Sequence, residues 1–465
     1  AMKYTLRVDV SPLYHFIIAG AVCAAVLLIA IIIGAAGPNL LESQSHFAYE
    51  CPDSSHFWTD ECNGVQLTTG AWSKNYTFDI HNLNQHWFLN LFPYKDTNTP
   101  ALVFDVKVSL AVSMAGKDDG DTAWTSIVED YTENVELSCR FKTQECIGFT
   151  LISEEAPQYD SYQVRIRLDN ARNTSLGDFK FEFLRGNPKF FSMWIAFKTL
   201  FLIASVAAAI VYYIRLRTIE HNQKQWEQRM TLVLVSALIC YNNPLFGFEF
   251  LARSWIMVFI GSLLDLIFTC TLFLFWLFMA DKIRLEEKTV SFKWIHVPKV
   301  IFVFLYALAA LILYCWSSIH DRLIPIFAIA DHITGIQIMY YIVAVLYIFY
   351  MFALSILIVV TVPKVLESRY LSSRFMFFAV PTGICLLSIV VGIFRGTVGP
   401  FGRDTIGTIF YTTMYNVYVY LLIWGYWPVP RGYSEANPTE TDSIHVQNTS
   451  YATEPNDEVP QPLVS

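Results

Sequence analysis

Charged residues are scarce in this chain of 465 residues. Only 15% are Asp, Glu, Lys or Arg, whereas 54% are hydrophobic. A soluble globular chain carries about a quarter charged residues, so the shortage argues against an ordinary water-soluble protein. The mean hydropathy of +0.40 agrees with this. The net charge is -8, and no segment has the clustered Lys and Arg that nucleic-acid contacts require, so we expect no nucleic-acid partner.

Catalytic motifs are also missing. The sequence has no His-Glu-x-x-His, no Gly-x-Ser-x-Gly and no Cys-x-x-Cys pair. His320-Asp321 and Asp331-His332 flank one predicted outer loop. A hydrolytic zinc site, however, needs at least three convergent ligands and an open coordination position. We therefore expect no enzymatic activity, no cofactor and no bound metal.

The nine cysteines fall into two groups. Five stand inside apolar runs, where a thiol serves as a small packing residue. The other four lie between residues 38 and 190, and an even set in one polar segment predicts disulfides in an oxidising compartment. These four are Cys51, Cys62, Cys139 and Cys146. Pairing of Cys51 with Cys62 and of Cys139 with Cys146 would close short loops, but other pairings stay open.

Long apolar runs dominate the rest of the chain. Crossing a bilayer takes about 20 residues of helix, and eight runs are long enough. The first covers residues 14–36. The alternative is a cleavable signal peptide, with Gly34 and Ala36 as the small residues before the cut. The apolar part of a signal peptide spans only roughly 7–15 residues, and this run is longer, so we predict an uncleaved anchor. Seven further spans form a predicted bundle over 191–428: 191–214, 230–251, 255–279, 298–316, 337–362, 375–394 and 406–427.

Basic residues distinguish the two sides of the predicted membrane. Short cytosolic loops carry an excess of Lys and Arg. One side holds Lys3, Arg7, Arg215, Arg217, Lys224, Arg229, Lys282, Arg284, Lys288, Lys293, Lys364, Arg369 and Arg374. The opposite short loops hold Arg253, Arg322, Arg395 and Arg403. This asymmetry places residues 1–13 and the tail 429–465 in the cytosol and residues 38–190 outside it. The tail is acidic and rich in Pro, Ser and Thr, which predicts disorder.

Residues 38–190 have the alternation of half-buried strands. In 101–113, Val106, Val108 and Leu110 share one face and polar residues the other. Similar patterns at 162–169 and 179–183 predict an antiparallel β-sandwich. The sandwich meets the second span through a short junction that contains a proline, so we expect it to sit close to the bundle. Whether it is a stalk or a recognition domain stays open at this point.

Two N-glycosylation sequons lie in the predicted outer domain. They are Asn75-Tyr76-Thr77 and Asn173-Thr174-Ser175. A third match, Asn448-Thr449-Ser450, lies in the predicted cytosolic tail and should stay unmodified. Glycan on Asn448 with none on Asn75 would invert the predicted orientation.

Several polar residues fall within the predicted spans. Ionisable groups at membrane depth are costly and usually face the protein interior or a cavity. The predicted polar cluster of a bundle cavity is Lys198, Asn242, Asn243, Glu249, Asp265 and Asn416. Pro244 follows Asn242 and Asn243, and the three interrupt an otherwise apolar helix. The alternative interpretation is that these residues form hydrogen bonds between helices, which stabilise a bundle by about 1 kcal/mol or less each.

Several stretches resemble one group of membrane proteins, the GOLD-domain seven-helix (Wntless-like) proteins, and in particular the transmembrane protein 181 family. The likeness covers most of the chain from the first span to Pro428 and differs at Asp265 and in the tail. Its clearest stretches are Gly37-Pro38, Trp194-Ile195-Ala196-Phe197-Lys198-Thr199, Trp226-Glu227-Gln228-Arg229, Tyr241 to Phe246, Leu272 to Trp276, and Tyr411 to Pro428.

The resemblance implies an α+β membrane protein. Its expected parts are an N-terminal anchor helix, an extracytosolic GOLD-like antiparallel β-sandwich and a seven-helix transmembrane bundle. It also implies traffic among Golgi, endosome and plasma membrane. The leading hypothesis is a trafficking receptor or chaperone for secreted or membrane cargo, with membrane lipid or a lipidated cargo as a further partner. The oligomeric state is left open.

Two other functions are weighed against this one. A signalling receptor of the G-protein-coupled type would also have seven helices after an outer domain. The sequence lacks the Asp-Arg-Tyr and Asn-Pro-x-x-Tyr motifs of rhodopsin-like members. An ion or proton channel, or a transporter, would use Asp265, Lys198 and the break at Pro244. Transporters commonly have internal repeats and a second broken helix, and we find neither here.

Overall fold

The computed structural model describes most of the chain. The described residues are 4–47, 71–80, 86–95, 104–139, 146–155, 157–169, 176–252, 254–284, 292–323, 325, 334–367, 369–395 and 405–430. The strands in chain order are β1 (Tyr4–Leu6), β2 (Leu41–Phe47), β3 (Ala71–Asp79), β4 (His86–Lys95), β5 (Phe104–Lys117), β6 (Thr125–Cys139), β7 (Phe149–Glu155), β8 (Ser161–Asp169), β9 (Leu176–Gly186) and β10 (Pro428–Pro430).

Strands β2 to β9 form two antiparallel sheets of four strands, which we call the outer domain. The strand orders are β2-β9-β4-β7 and β3-β8-β5-β6. Residues of both sheets meet in one buried apolar cluster. Phe78 of β3 stacks on Phe183 of β9, with ring centroids 4.0 Å apart. Phe179, Phe181 and Phe183, which alternate with polar residues in the sequence, are each 1% exposed.

A half-buried histidine at the start of β4 should make the outer domain sensitive to acid. Burial lowers the pKa of His86 to about 4 from an ordinary 6.5. The imidazole stays neutral in the folded chain while the unfolded chain takes up a proton below pH 6.5. Stability from this group is therefore complete above about pH 6.5 and falls as the pH drops toward 4.

We expect the free energy of unfolding of the outer domain to fall by about 1–2 kcal/mol between pH 7 and pH 5. This value is reduced because His86 is partly exposed. Hydrogen exchange at the β4 amides of the full-length protein in nanodiscs would measure it. In His86→Gln this pH dependence should be largely absent. An equal acid response in both proteins would assign the effect to other groups.

The helices in chain order begin with two near the N-terminus, α1 (Arg7–Val10) and α2 (Leu13–Ala36). The rest are α3 (Pro188–Arg217), α4 (Trp226–Tyr241), α5 (Phe246–Ala252), α6 (Trp255–Arg284), α7 (Phe292–Leu323), α8 (Thr334–Glu367), α9 (Arg369–Arg395) and α10 (Thr405–Gly425). Within the described ranges, eight helical segments are long and apolar enough to cross a membrane by length and composition. One of them joins α4 and α5.

Several helices run past the apolar spans that the sequence predicts. Helix α7 covers Phe292–Leu323 where the apolar run suggests 298–316, and α6 ends at Arg284 rather than near 279. The apolar run marks the part of the helix that can lie in the hydrocarbon core of the bilayer. The helix itself continues for as long as its backbone N–H and C=O groups can hydrogen-bond to one another. The predicted span 230–251 is divided into α4 and α5 at the Asn242–Asn243–Pro244 break.

Helix α2 packs along α10. Small residues on α2 let the two backbones approach, since Ala30 is 2% exposed and a Cβ on Gly34 would lie 2.8 Å from the Cα of Ile406. Close approach at small residues is the usual basis of helix association in lipid. Most other large side chains of α2 are exposed, among them Ile17 at 63% and Leu28 at 58%, as expected for a helix that faces lipid.

The outer domain joins the bundle through two strands that run directly into helices. Strand β2 follows α2 and pairs with β9, which precedes α3, so Leu41 lies opposite Gly186. The Asn187 side chain caps α3 by accepting a bond from the Lys189 amide at 3.0 Å, and Pro188 occupies the first turn. Asn187 N donates to Leu40 O at 2.9 Å. This paired junction fixes the outer domain to one end of the bundle, which we call the outer end.

The opposite end, which we call the terminal end, is closed by the two ends of the described chain. Strands β1 and β10 pair antiparallel, and Arg7 N donates to Trp427 O at 3.0 Å. Leu6 is 0% and Val8 1% exposed, so the N-terminal segment is inserted into the bundle rather than lying in solvent.

Candidate functional site

The six polar residues predicted in the spans fall into three pairs in the structure. The first pair joins α10 to the end of α4. Asn242 Nδ2 donates to Asn416 Oδ1 at 2.9 Å, and Asn416 Nδ2 donates back to Asn242 Oδ1 at 3.0 Å. Both residues are 0% exposed. Asn242 also donates to Ser205 Oγ at 3.2 Å, which links α3 to the pair. This reciprocal amide bond fits the packing interpretation given above.

The second pair stabilises the break between α4 and α5. Asn243 has φ of 46°, a left-handed conformation that Asn tolerates better than most residues. Its Oδ1 accepts from Leu245 N at 3.0 Å, and its Nδ2 donates to Glu249 Oε1 at 2.9 Å. Gly261 of α6 packs against this turn, since a Cβ there would lie 2.6 Å from Glu249 Oε1.

The third pair lies inside two of the helices that are long and apolar enough to cross a membrane. Lys198 of α3 and Asp265 of α6 each stand ten residues past the first residue of their helix, or roughly 15 Å below the outer end. Lys198 lies close enough to Asp265 for the two charges to interact, but their described side chains form no direct ion pair. Its Nζ also lies 4.8 Å from the ring centroid of Phe246 and 5.7 Å from those of Trp194 and Tyr241. Three rings around one ammonium attract its charge by cation–π interaction.

Asp265 has an unmet acceptor. Its Oδ1 is buried and has no hydrogen-bond partner among the described residues. Leaving a buried acceptor unpaired costs about 1–3 kcal/mol, and most native carboxylates avoid it. A donor supplied by a bound molecule would satisfy this atom. We call Lys198, Asp265 and the rings of Trp194, Tyr241 and Phe246 the Lys198 site, the candidate ligand site of the polar cluster.

The amide pair offers a direct stability test. Asn416→Ala removes both amide bonds and leaves Asn242 without its main partner, so we expect a loss of about 1 kcal/mol, the usual value for a hydrogen bond between helices in lipid. A double-mutant cycle with Asn242→Ala, measured by SDS-induced unfolding in mixed micelles, should return a coupling energy of similar size. Additive effects of the two changes would contradict a cooperative pair.

Comparison with known proteins adds the family. The model of the Wntless-like transmembrane domain matches residues 187–430, more than half of the chain. This chain belongs to the Wntless-like family. It is also 28% identical to human transmembrane protein 181 over 236 residues, which make up 49% of this chain and 48% of the relative. The chain thus spans about half the length of the curated relative that it matches.

A buried charge cluster at the terminal end of this Wntless-like bundle was missed by the sequence reasoning. Arg374 of α9 donates to Asp9 of α1 through Nε at 2.7 Å and through a second nitrogen at 2.8 Å. Its remaining terminal nitrogen lies 3.4 Å from Glu227 Oε1 of α4. The three side chains are 4–8% exposed. The sequence marks Arg374 only as a basic residue of a predicted cytosolic loop, because nothing local to it indicates a carboxylate 365 positions away.

A second charge cluster joins α6 to α7 at the same end. Asp281, 1% exposed, forms ion pairs with Lys299 and, at 3.2 Å, with Arg284. The first cluster includes the inserted N-terminal segment through Asp9, whereas the second joins the end of α6 to the first part of α7. The terminal end of the Wntless-like bundle is therefore bridged by buried ion pairs, whereas the outer half contains the Lys198 site.

The structure describes only some of the remaining predicted residues. Cys146 is disulfide-bonded and 4% exposed. Cys51 and Cys62 lie outside the described residues, as does the side chain of Cys139, so the pairing stays a prediction. Asn75 is exposed on β3, whereas Asn173 lies outside the described residues. Of the two His–Asp pairs, the described side chains include His320 alone, and no three potential metal ligands converge within the described part of the chain.

Proposed function

We propose that the protein is a membrane trafficking receptor or chaperone that binds secreted or membrane cargo through its outer domain and the Lys198 site of its bundle. Membership of the Wntless-like family supports a role in membrane traffic. In this proposal the outer domain lies in the lumen of the secretory pathway or outside the cell, and both termini are cytosolic. The protein would move among Golgi, endosome and plasma membrane.

The observation that carries the proposal is that the Lys198 site shares residues with the junction between the outer domain and the bundle. Trp194 and Phe246 belong to the apolar cluster at the junction, where Phe190 is fully buried. The same two rings contact the Lys198 ammonium. A cargo bound to the outer domain and a lipid or acyl group near Lys198 would therefore act on one set of packed side chains.

The charge clusters of the terminal end favour a binding site over a conducting path. A channel needs a continuous polar route through the bundle, and a transporter needs one that opens to the two sides of the membrane in turn. Here the terminal end contains the inserted N-terminal segment and the ion pairs of Arg374 and Asp281. A site that opens toward the outer domain or sideways into the bilayer agrees better with this arrangement.

Proximity labelling tests the proposal. The turn at Gly120 between β5 and β6 is exposed, and a Cβ there would meet nothing within 4 Å, so a labelling enzyme can be inserted at this tip. We expect it to label secreted and membrane proteins in transit. The same insertion in Lys198→Met should label fewer of them at equal expression and location. Labelling confined to resident surface proteins, with no secretory cargo, would overturn the proposal.

A further inference from the structure

The outer face of the sheet β3-β8-β5-β6 contains a polar groove of about 480 Å³. Two neighbouring rows of residues cross the strands there. In one row Asn75 lies opposite Arg165, which lies opposite Ser113. In the next, Gln163 lies between Thr77 and Ala115, and Ala115 pairs with Ser126. Side chains in such rows stand about 5 Å apart, so they form one continuous surface.

The N-glycosylation sequon lies in this groove. Asn75 and Thr77 are exposed on the groove face, whereas Tyr76 between them points into the core and is 6% exposed. A sugar attached to Asn75 would leave the strand directly over Gln163 and Arg165. The sequon and the groove are independent observations, one from the sequence and one from the shape of the sheet.

The groove also has the chemistry that a sugar needs. Its lining offers hydroxyl groups from Ser113 and Ser126, an amide from Gln163, a guanidinium from Arg165 and a carboxylate from Asp130. Sugar hydroxyls both donate and accept hydrogen bonds, so a mixed set of donors and acceptors suits them. The volume falls within the range of about 300–1,000 Å³ typical of small-ligand sites.

We propose that this groove seats the first sugars of an N-linked glycan carried by Asn75. A free sugar would bind such an open groove weakly. A tethered one is present at an effective concentration in the millimolar range, so a few hydrogen bonds suffice to keep it in place. The proposal depends on the orientation of the outer domain and not on the identity of any cargo.

Enzymatic release of the glycan tests the proposal on the full-length protein. The background is Asn173→Gln, so that Asn75 is the reporting site within the outer domain, and Thr77→Ser serves as the control that keeps the sequon. Under native conditions PNGase F should remove the Asn75 glycan slowly, because the linkage is held against the sheet. Arg165→Ala should speed native release about tenfold, the factor for the loss of a net 1.4 kcal/mol of contacts. Release after denaturation should be equally fast in all variants.

A second variant guards against a folding defect. Ser113→Leu fills the groove from another strand, keeps Arg165 and should also speed native release, while gel filtration confirms an unchanged hydrodynamic size. Absence of glycan on Asn75, shown by no mobility change between the parent and Asn75→Gln, would overturn the proposal. So would native release that is equally fast in the parent, Arg165→Ala and Ser113→Leu, since the glycan would then extend into solvent.

Discussion

Arg374→Ala should destabilise the bundle by about 3–5 kcal/mol, the usual cost of removing one partner from a buried ion pair. The substitution leaves the carboxylates of Asp9 and Glu227 in a site where both are at most 8% exposed. Water cannot solvate them without opening the packing of α1 against α9. The free energy of unfolding, measured by SDS titration in mixed micelles, gives the result.

Two further variants make this expectation specific. Arg374→Lys keeps the charge but not the planar guanidinium that binds Asp9 through two nitrogens. The loss of stability in this variant should therefore lie between zero and that of Arg374→Ala. Arg185→Ala removes a guanidinium from the outer domain, where its partner Glu42 is 46% exposed. That surface pair should contribute about 1 kcal/mol or less. Equal losses for Arg374→Ala and Arg185→Ala would contradict a buried cluster at the terminal end.

Gly34→Ala should separate α2 from α10. It should lower the free energy of unfolding by an amount near the upper end of about 1–3 kcal/mol, the usual range for overpacking. The new methyl group would lie 2.8 Å from a backbone atom of Ile406, which cannot rotate away as a side chain could. The expected readouts are a lower free energy of unfolding and faster hydrogen exchange at the α10 amides near Ile406.

Helix α2 also provides the matched control. A Cβ on Gly20 would meet nothing within 4 Å, so Gly20→Ala adds the same methyl group to the same helix without a clash. Removal of a helical glycine should leave stability unchanged or raise it by about 0.5–1 kcal/mol. If Gly34→Ala were as mild as Gly20→Ala, α2 would not be packed against α10 as described.

Much of the architecture can be predicted from the sequence because it depends on local periodicity. The alternation around Phe179, Phe181 and Phe183 follows from the two-residue repeat of a strand, and one face indeed forms the sheet core. The apolar runs similarly predict the helices, since a lipid-exposed backbone has few alternatives to a helix. Even the start of α3 can be read from Asn187 and Pro188, a cap followed by a proline in the first turn.

The arrangement of the polar site was not predictable in the same way. Asn242 and Asn416 could be selected because amides at membrane depth are costly, but their bond joins positions 174 apart, and no local pattern records it. The sequence does not single out Asp9, since a carboxylate near an N-terminus ordinarily lies in solvent. Pairing of this kind depends on which helices become neighbours, and neither propensity nor periodicity encodes that.

The central claim, that the protein carries cargo through the secretory pathway, is tested most directly by what cells secrete. Cells that lack the protein would be compared with cells restored with the wild type, with Lys198→Met or with Arg185→Ala, by quantitative mass spectrometry of the medium and the cell surface. We predict that loss of the protein lowers the amounts of a defined set of proteins in the medium and at the cell surface. The wild type and Arg185→Ala should restore them, whereas Lys198→Met should not, although it reaches the same membranes in the same amount. An unchanged medium and surface without the protein would contradict the claim.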